Sequence, residues 1–453
     1  MKTVIILTDT TRADHLGCYG YAKPTSPNID QLAEGGVRFT NCFSADTPCV
    51  PSLPNKFTGH CGTRNGVVTH GPRAHHLRPG SQTQLQRTLS LNGHRTCAVS
   101  TVAEHAPFFY SGWETYCRPN FTRGMQQVTA EDINSYALPW LREHAKEDFL
   151  LFVHYWDPHS PYQLGAEADF KRFYGDRDPK KHDGRLEPLL SNEAARLFHE
   201  GDSWPRSHLP PDVRDLDWFL AWYDAEILYM DRQVGQLLDT LEDCGIDEET
   251  LVILLADHGE QFGEQDMFFD HPGIYEETQR VPLVVRWPKS WRGGQVCEAL
   301  ASNCDLVPTI LAAAGIDAPG ECDGADLAPL INGKVDKLRE RLLITHGLWS
   351  AQRGVRGERW KFVRTYDPGL WTLPARALYD MRGSGEEENV ISKHGDVAAE
   401  MEGWMLAEVD RVLAGRPDPL TLAMDGGVEA LKWVRHWYNV AGRSLPETLG
   451  RLV

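Results

Sequence analysis

Three short apolar runs of this chain break off into residues that can hold a cation. Thr3 to Thr8 ends in Asp9-Thr10, Phe149 to Tyr155 carries His154 and passes into Asp157-Pro158-His159, and Leu251 to Ala256 ends in Asp257-His258-Gly259-Glu260. Apolar runs of this length with polar boundaries read as buried strands. In an open parallel sheet, ligands bind beyond the carboxyl ends of the strands, so the three polar ends are expected in one crevice. Two carboxylates and an imidazole suit Ca²⁺, Mg²⁺, Mn²⁺ or Zn²⁺. Aspartate is also a favoured helix cap, and for Asp9 or Asp257 alone that explanation serves equally well. The pair, each member closing a buried strand, favours a metal.

A second reactive group is Cys49. Cys49-Val50-Pro51-Ser52 opens a segment that closes at Thr58-Gly59. Proline is well placed in the first turn of a helix, so Cys49 is expected at a helix N-terminus, where a thiol's pKa falls and anions bind. A lone cysteine is more often a small buried hydrophobe, and spacing alone does not make it a nucleophile.

The elements that must carry these groups are legible. Thr96 to Ser100 and Val281 to Arg286 add two strands. Between strands lie helical patterns, notably Leu216 to Leu241, where Phe219, Tyr223, Ile227, Met230, Val234, Leu237 and Leu241 recur every three or four residues. Alternation of strand and helix predicts an α/β fold, a mostly parallel central sheet sandwiched by helices. A polar stretch from Gln163 to about Asp215 is expected as an insertion placed to cap a site. Near residue 340 the pattern changes: Leu342 to Thr345, Gly354 to Val363 and Ala377 to Asp380 read as an antiparallel sheet, followed by a helix over Val397 to Leu413. The expected division is a catalytic domain over 1–340 and a smaller α+β subdomain over 341–453, with a tail from about Pro417.

Composition narrows the function classes. The 453 residues are 41% hydrophobic and 24% charged, enough for one large core and a second unit. No stretch approaches about 18 uninterrupted apolar residues, which excludes a helical membrane span, and the run before Asp9 is too short for a signal peptide. Ten cysteines without a CxxC pair read as reduced thiols. From the short N-terminal run the expected location is the cytoplasm. A net charge of −18 argues against nucleic-acid or anionic-membrane partners. It leaves room for a small anionic substrate, because a bound cation makes its own local field.

The motifs in order resemble those of the sulfatase family, in the alkaline phosphatase superfamily. Thr8 to Gly20 (Thr-Asp-Thr-Thr-Arg-Ala-Asp-His-Leu-Gly-Cys-Tyr-Gly) resembles its opening strand and turn, and Pro24 to Leu32 its next segment. Cys49 to Gly59 is similar to most of its C-x-P-S-R…T-G signature, and His154 to Tyr162 to its D-P-H-x-P-Y stretch. Ala256 to Glu264, Tyr275-Glu276-Glu277 and Arg280 to Leu283 resemble its D-H-G-E…Y-E-E…R-V-P-L block, and Asp305 to Thr309 and Leu378-Tyr379-Asp380 complete the series. The likeness runs from residue 3 to about 390.

The resemblance implies hydrolysis of a small anionic sulfate ester, with Cys49 converted to formylglycine by a maturation enzyme. The hydrated aldehyde would attack sulfur with one oxygen and expel sulfate with the second. It further implies that Asp9, Thr10, Asp257 and His258 hold one divalent ion beside Cys49, Ca²⁺ first and Mn²⁺ or Zn²⁺ otherwise. His159 would serve the leaving oxygen, and His105 and His271 the non-bridging oxygens. His105 is equally readable as a surface-loop residue, and His271 as a residue that only orients Asp270.

Two positions depart from the family pattern. Thr10 replaces an acidic or amide ligand, and Leu53 replaces the signature arginine, which the maturation enzymes read and which steadies the nucleophile. Lys56, one turn on, is expected as an exposed helix residue, with a substitute charge as the other reading. The alternatives are a phosphodiester or phosphonate monoester hydrolase on the same fold, and a silent binding protein with unmodified Cys49. Substrate choice is expected in the loops 70–80, 103–127 and 163–215, with His70, Arg73, His75, His76 and Arg78 as a basic rim or a solvated loop. Trp433, Trp437 and Tyr438 in the tail offer aromatic surface for a second subunit.

Overall fold

The computed structural model describes residues 1–79, 84–162, 166–192, 196, 210–440, 442 and 444. Its strands in chain order are β1 Lys2–Thr8, β2 Val37–Phe43, β3 Asp46–Thr47, β4 Arg95–Val99, β5 Thr115–Cys117, β6 Phe149–Tyr155 and β7 Thr250–Ala256. They continue with β8 Arg280–Arg286, β9 Gln295–Cys297, β10 Ala301–Ser302, β11 Arg341–His346, β12 Ala351–Gly357, β13 Trp360–Asp367 and β14 Arg376–Asp380.

The first sheet runs β10-β2-β8-β7-β1-β6-β4-β5, with β9 beside β2. Every pairing in it is parallel except those of β8, which runs against both β7 and β2. β6 and β7 are buried along their whole length, and β1 everywhere but at Lys2. That explains why these runs carry no polar alternation: both faces are covered. Val4 and Ile6 of β1 face one core and Ile5 and Leu7 the other, as the two-residue strand period requires. The helix Leu216–Asp243 covers the first face, and all seven of its predicted periodic residues are buried there.

The second sheet has the order β14-β13-β12-β11-β3. Its β11 to β14 are antiparallel, while β3 pairs parallel with β11. Here the structure corrects the sequence reading. Gly354 to Val363 is not one segment but parts of β12 and β13, with Glu358 and Arg359 at the turn between them. The smaller sheet also takes its fifth strand from residues 46–47, far from its other strands in sequence.

Two further stretches are partly helical. The tail folds into helices Pro419–Ala423 and Glu429–Val440. Its Tyr438 is buried and Trp433 partly so, against Val68, Leu348, Trp349 and Leu420 of the same chain, so these two aromatics are spent internally; the Trp437 side chain lies outside the described residues. In the polar insertion, helix Glu167–Tyr174 lies along helix Leu216–Asp243, with Phe170 stacked on Trp222 at 4.1 Å and Arg232 paired to Asp169. Residues 163–165, 193–195 and 197–209 of that insertion, and Gly80 of the loop 70–80, lie outside the described residues. Among the described residues no helix is long and apolar enough to cross a membrane.

Candidate active site

The register of the central strands brings the two aspartates together. Thr8 of β1 pairs with Ala256 of β7, and the ladder continues one residue further, with Asp257 N donating to Thr8 O at 3.1 Å. Asp9 and Asp257 are therefore the next rung of adjacent parallel strands, where strands lie about 4.8 Å apart. On the other flank Asp9 N donates to Tyr155 O at 3.0 Å, which carries the β6 end into the same crevice. Thr10 takes a left-handed φ of 53°, costly for a β-branched residue. The turn is held from both sides: Thr10 N donates to Asp257 Oδ1 (3.0 Å), and Tyr223 OH, from the long helix, donates to Thr10 O (2.7 Å) and accepts from Arg12 N (2.8 Å).

Cys49 arrives from the opposite side. β3 docks on β11, and Cys49 is the first residue of helix Cys49–Thr58. Its Sγ lies 3.2 Å from His258 Nε2 and 3.8 Å from Asp9 Oδ1. Ligating atoms of Asp9, Cys49, Asp257 and His258 all lie within 4.8 Å of one another, and all four residues are buried. His258 Nδ1 is 2.8 Å from Gly259 O, an acceptor only, so that nitrogen carries the ring proton and Nε2 presents its lone pair to the cluster. Two carboxylates, a bare imidazole nitrogen and a thiol fit a divalent cation. Thr10 Oγ1, buried beside them, makes no hydrogen bond among the described residues.

Cys49, His159 and His271 form a second group whose donor atoms also lie within 4.8 Å. His159 Nδ1 is 2.8 Å from Ser160 O, so its Nε2 is the nitrogen left for chemistry, 4.0 Å from Asp9 Oδ1. His271 Nδ1 is 3.2 Å from Asp270 Oδ1 and 3.6 Å from Glu260 Oε1, and its ring centroid is 4.1 Å from that of His258. Glu260 in turn accepts from Tyr162 OH at 2.9 Å.

The structure does not bring His105 into either group: it is exposed, and its ring centroid is 6.0 Å from that of His70. His70 takes the nearer place, its Nε2 accepting from the Val50 N–H at 3.4 Å in the first turn of the Cys49 helix. Arg78, read as part of a basic rim or of a solvated loop, turns to the backbone of Thr63 and Pro417. Lys56 corrects the expectation most sharply. It is wholly buried, not an exposed helix residue.

Two further histidines stand at the site, His154 from the strand end already singled out and His346, to which the sequence reading assigned no role. His154 places Nε2 3.6 Å from Asp9 Oδ2 and Nδ1 2.9 Å from Ser100 Oγ; burial pulls its pKa down to about 4. His346 ends β11 next to the strand that leads into Cys49, but β11 lies in the antiparallel sheet, where the parallel-sheet rule that found Asp9 does not reach it. Its Nδ1 is 3.0 Å from Thr47 Oγ1, and its Nε2 accepts from Trp349 N at 3.1 Å. Burial, and then the neighbouring His258, lower its pKa to about 3. Between about pH 6.5 and about pH 3 the unfolded chain therefore binds a proton that the folded chain refuses, and stability falls as pH falls. His346→Gln is expected to flatten that slope by up to about 1.4 kcal/mol per pH unit. Urea midpoints of both proteins near pH 7 and pH 5 check it, and an unchanged pH difference counts against it.

An α/β sheet with a carboxylate–imidazole–thiol cluster at its strand ends, and a cysteine opening a helix there, is an arrangement able to hold a divalent cation beside a reactive group. The chain belongs to the sulfatase family: the family's model, Sulfatase, matches residues 2–316, and that of the N-sulphoglucosamine sulphohydrolase C-terminal region matches residues 263–409. It is accordingly a sulfuric ester hydrolase. It is 24% identical to the N-acetylglucosamine-6-O-sulfatase of Bacteroides thetaiotaomicron over 89% of this chain and 84% of that one. It is similar in fold to a protein solved with its substrate D-glucosamine-2-N,6-O-disulfate (TM-score 0.71, 20% identity, 92% and 99% of the two chains). The phosphonate monoester hydrolase of Silicibacter pomeroyi is equally similar in fold (TM-score 0.71, 20% identity, 91% and 96%).

Proposed function

We propose that this chain cleaves sulfate esters of amino sugars or related carbohydrates, using formylglycine made from Cys49 and one divalent ion, Ca²⁺ by preference. The observation that carries this reading is the placement of Cys49 Sγ, 3.2 Å from His258 Nε2 and 3.8 Å from Asp9 Oδ1, at the N-terminus of its helix. Asp9, Thr10, Asp257 and His258 are the residues to hold the ion, with Cys49 as the fifth position. The ion supplies Lewis acidity, and the oxidised Cys49 supplies the attacking oxygen.

The remaining work belongs to side chains present here. The helix N-terminus under Cys49 favours the negative charge of the ester. His159, its Nδ1 proton held by Ser160 O, gives a proton from Nε2 to the leaving oxygen. His271 contacts a non-bridging oxygen, and Asp270 and Glu260 fix its ring. His105, exposed and beyond the cluster, is left to the entrance. The ten free thiols agree with a reducing cytoplasm, and the maturation enzyme is the partner on which turnover depends. Support for a carbohydrate comes from the two sugar-sulfate proteins above.

The fold alone does not separate sulfate from phosphonate or phosphodiester substrates. Matched aryl sulfate and aryl phosphodiester substrates do. The larger kcat/KM is expected for the sulfate, and a clear preference for the diester would move the assignment to the second class.

A further inference from the structure

The helix that begins at Cys49 also carries a buried cation that the chemistry above leaves unused. Positions 49, 52, 53 and 56 share one helix face, each three or four residues from the next turn's member. Helical side chains lean toward the N-terminus, and Lys56 does so: its Nζ donates to Ser52 O at 3.1 Å and to Ser52 Oγ. The ammonium is thus delivered one turn back, at the level of residues 52–53. Ser52 Oγ donates to the carbonyl of Asp257 at 2.7 Å and accepts from Asn303 Nδ2 at 3.3 Å. Beside it Leu53, 1% exposed, is packed among apolar side chains. A buried lysine is rare unless it is paired. Burial draws this one's pKa down to about 8, and Asp257 is the strongest influence acting the other way, with Asp9 a weaker one.

We propose that Lys56 replaces the arginine that Leu53 has displaced from the signature, as a positioning residue whose ammonium, through Ser52, fixes the Asp257 backbone against the Cys49 helix. The charge has moved by three positions in sequence, and the length of the lysine side chain returns it toward the level it left. A consequence follows for the pair. Lys56 already sets one buried ammonium at this level, so Leu53→Arg would place a second buried positive charge beside it and is expected to be harmful, whereas the same change is expected to help once Lys56 is gone. This is a sign reversal that independent sites do not show.

The test is the four-protein cycle of wild type, Lys56→Met, Leu53→Arg and the double variant. Each is assayed for Mn²⁺ and Ca²⁺ affinity by calorimetry, for thermal unfolding, and for kcat and KM on an aryl sulfate per modified Cys49. Loss of a supporting partner in a metal site typically costs about 10–100-fold. Lys56→Met is expected to stay folded and to lose that much in cation affinity and kcat, with KM nearly constant. Leu53→Arg alone is expected to lose affinity as well, and the double variant to regain at least tenfold over Lys56→Met. Wild-type behaviour of Lys56→Met, or losses that simply add in the double variant, would overturn the proposal. Should Lys56→Met not fold, the double variant decides: a restored fold supports the exchange, and a chain as unfolded as the single variant refutes it. The turnover arm rests on the formylglycine reading. If wild type turns over no sulfate ester, that reading fails, while the cation affinities still decide the role of Lys56.

Discussion

Asp257→Ala and His258→Ala are each expected to lower kcat/KM for sulfate esters by on the order of 10³ or more and to reduce the bound divalent ion well below one per chain. A Lewis acid contributes several kcal/mol at the transition state, and each 1.36 kcal/mol is a factor of ten. Asp257 has a double duty that explains why alanine is so damaging. Its Oδ1 accepts from Thr10 N at 3.0 Å and from His258 N at 2.7 Å, so it holds the left-handed turn at Thr10 as well as standing in the proposed cation cluster. His258 has the simpler role of presenting Nε2, with Nδ1 tied to Gly259 O. The fold should survive both changes, because the strands beneath are continuous apolar runs paired on both sides. Metal analysis beside thermal unfolding checks this. A full complement of metal in both variants would mean that the cluster is not the ion's site.

Cys49→Ala is expected to leave less than about one part in 10³ of the rate, since it removes the covalent step itself. Cys49→Ser is the more informative change. Its single hydroxyl can attack sulfur and release the leaving alcohol, but it has no second hydroxyl to expel the sulfate that remains on the side chain. The expected result is a burst of at most one equivalent of product followed by no steady turnover, with the peptide around residue 49 heavier by one sulfate group. Stopped-flow assay and peptide mass read both features. Sustained turnover by Cys49→Ser would require a mechanism with direct attack by water.

The parts of this arrangement that were legible in the sequence are those set by local rules. Asp9 and Asp257 close runs with no polar interruption, and a strand covered on both faces admits no other pattern. Cys49 precedes a proline in a helix's first turn, and the seven periodic residues from Phe219 to Leu241 mark one face of a long helix. What escaped depends on partners distant in the chain. β8 has the same apolar texture as its parallel neighbours, so its reversed direction leaves no mark in composition. Lys56 looks like any solvated lysine until Ser52, Asp257 and Asn303 are folded around it. His346 reaches the site only because β11 pairs with a two-residue strand some 300 positions earlier. His105, readable in the sequence either as a substrate contact or as a surface-loop residue, lies exposed with its ring centroid 6.0 Å from that of His70. The tail's aromatic side chains carry no information about whether they cover this chain or another, and here Trp433 and Tyr438 cover this one.

The central claim, that formylglycine at residue 49 carries the reaction, is tested most directly by mass analysis of the peptide containing Cys49, from protein made in its native host, set against the sulfatase rate of the same preparation. The aldehyde form is lighter than the thiol and reacts with hydrazines. On the proposed reading Leu53 alters the segment that a maturation enzyme would read, so preparations should differ in their modified fraction, and Leu53→Arg should raise that fraction while lowering the rate per modified chain. Across wild-type preparations the rate is expected to rise in proportion to the modified fraction and to extrapolate to zero where the fraction is zero. A native-host protein that turns over sulfate esters while its Cys49 peptide carries only unmodified thiol would contradict the account.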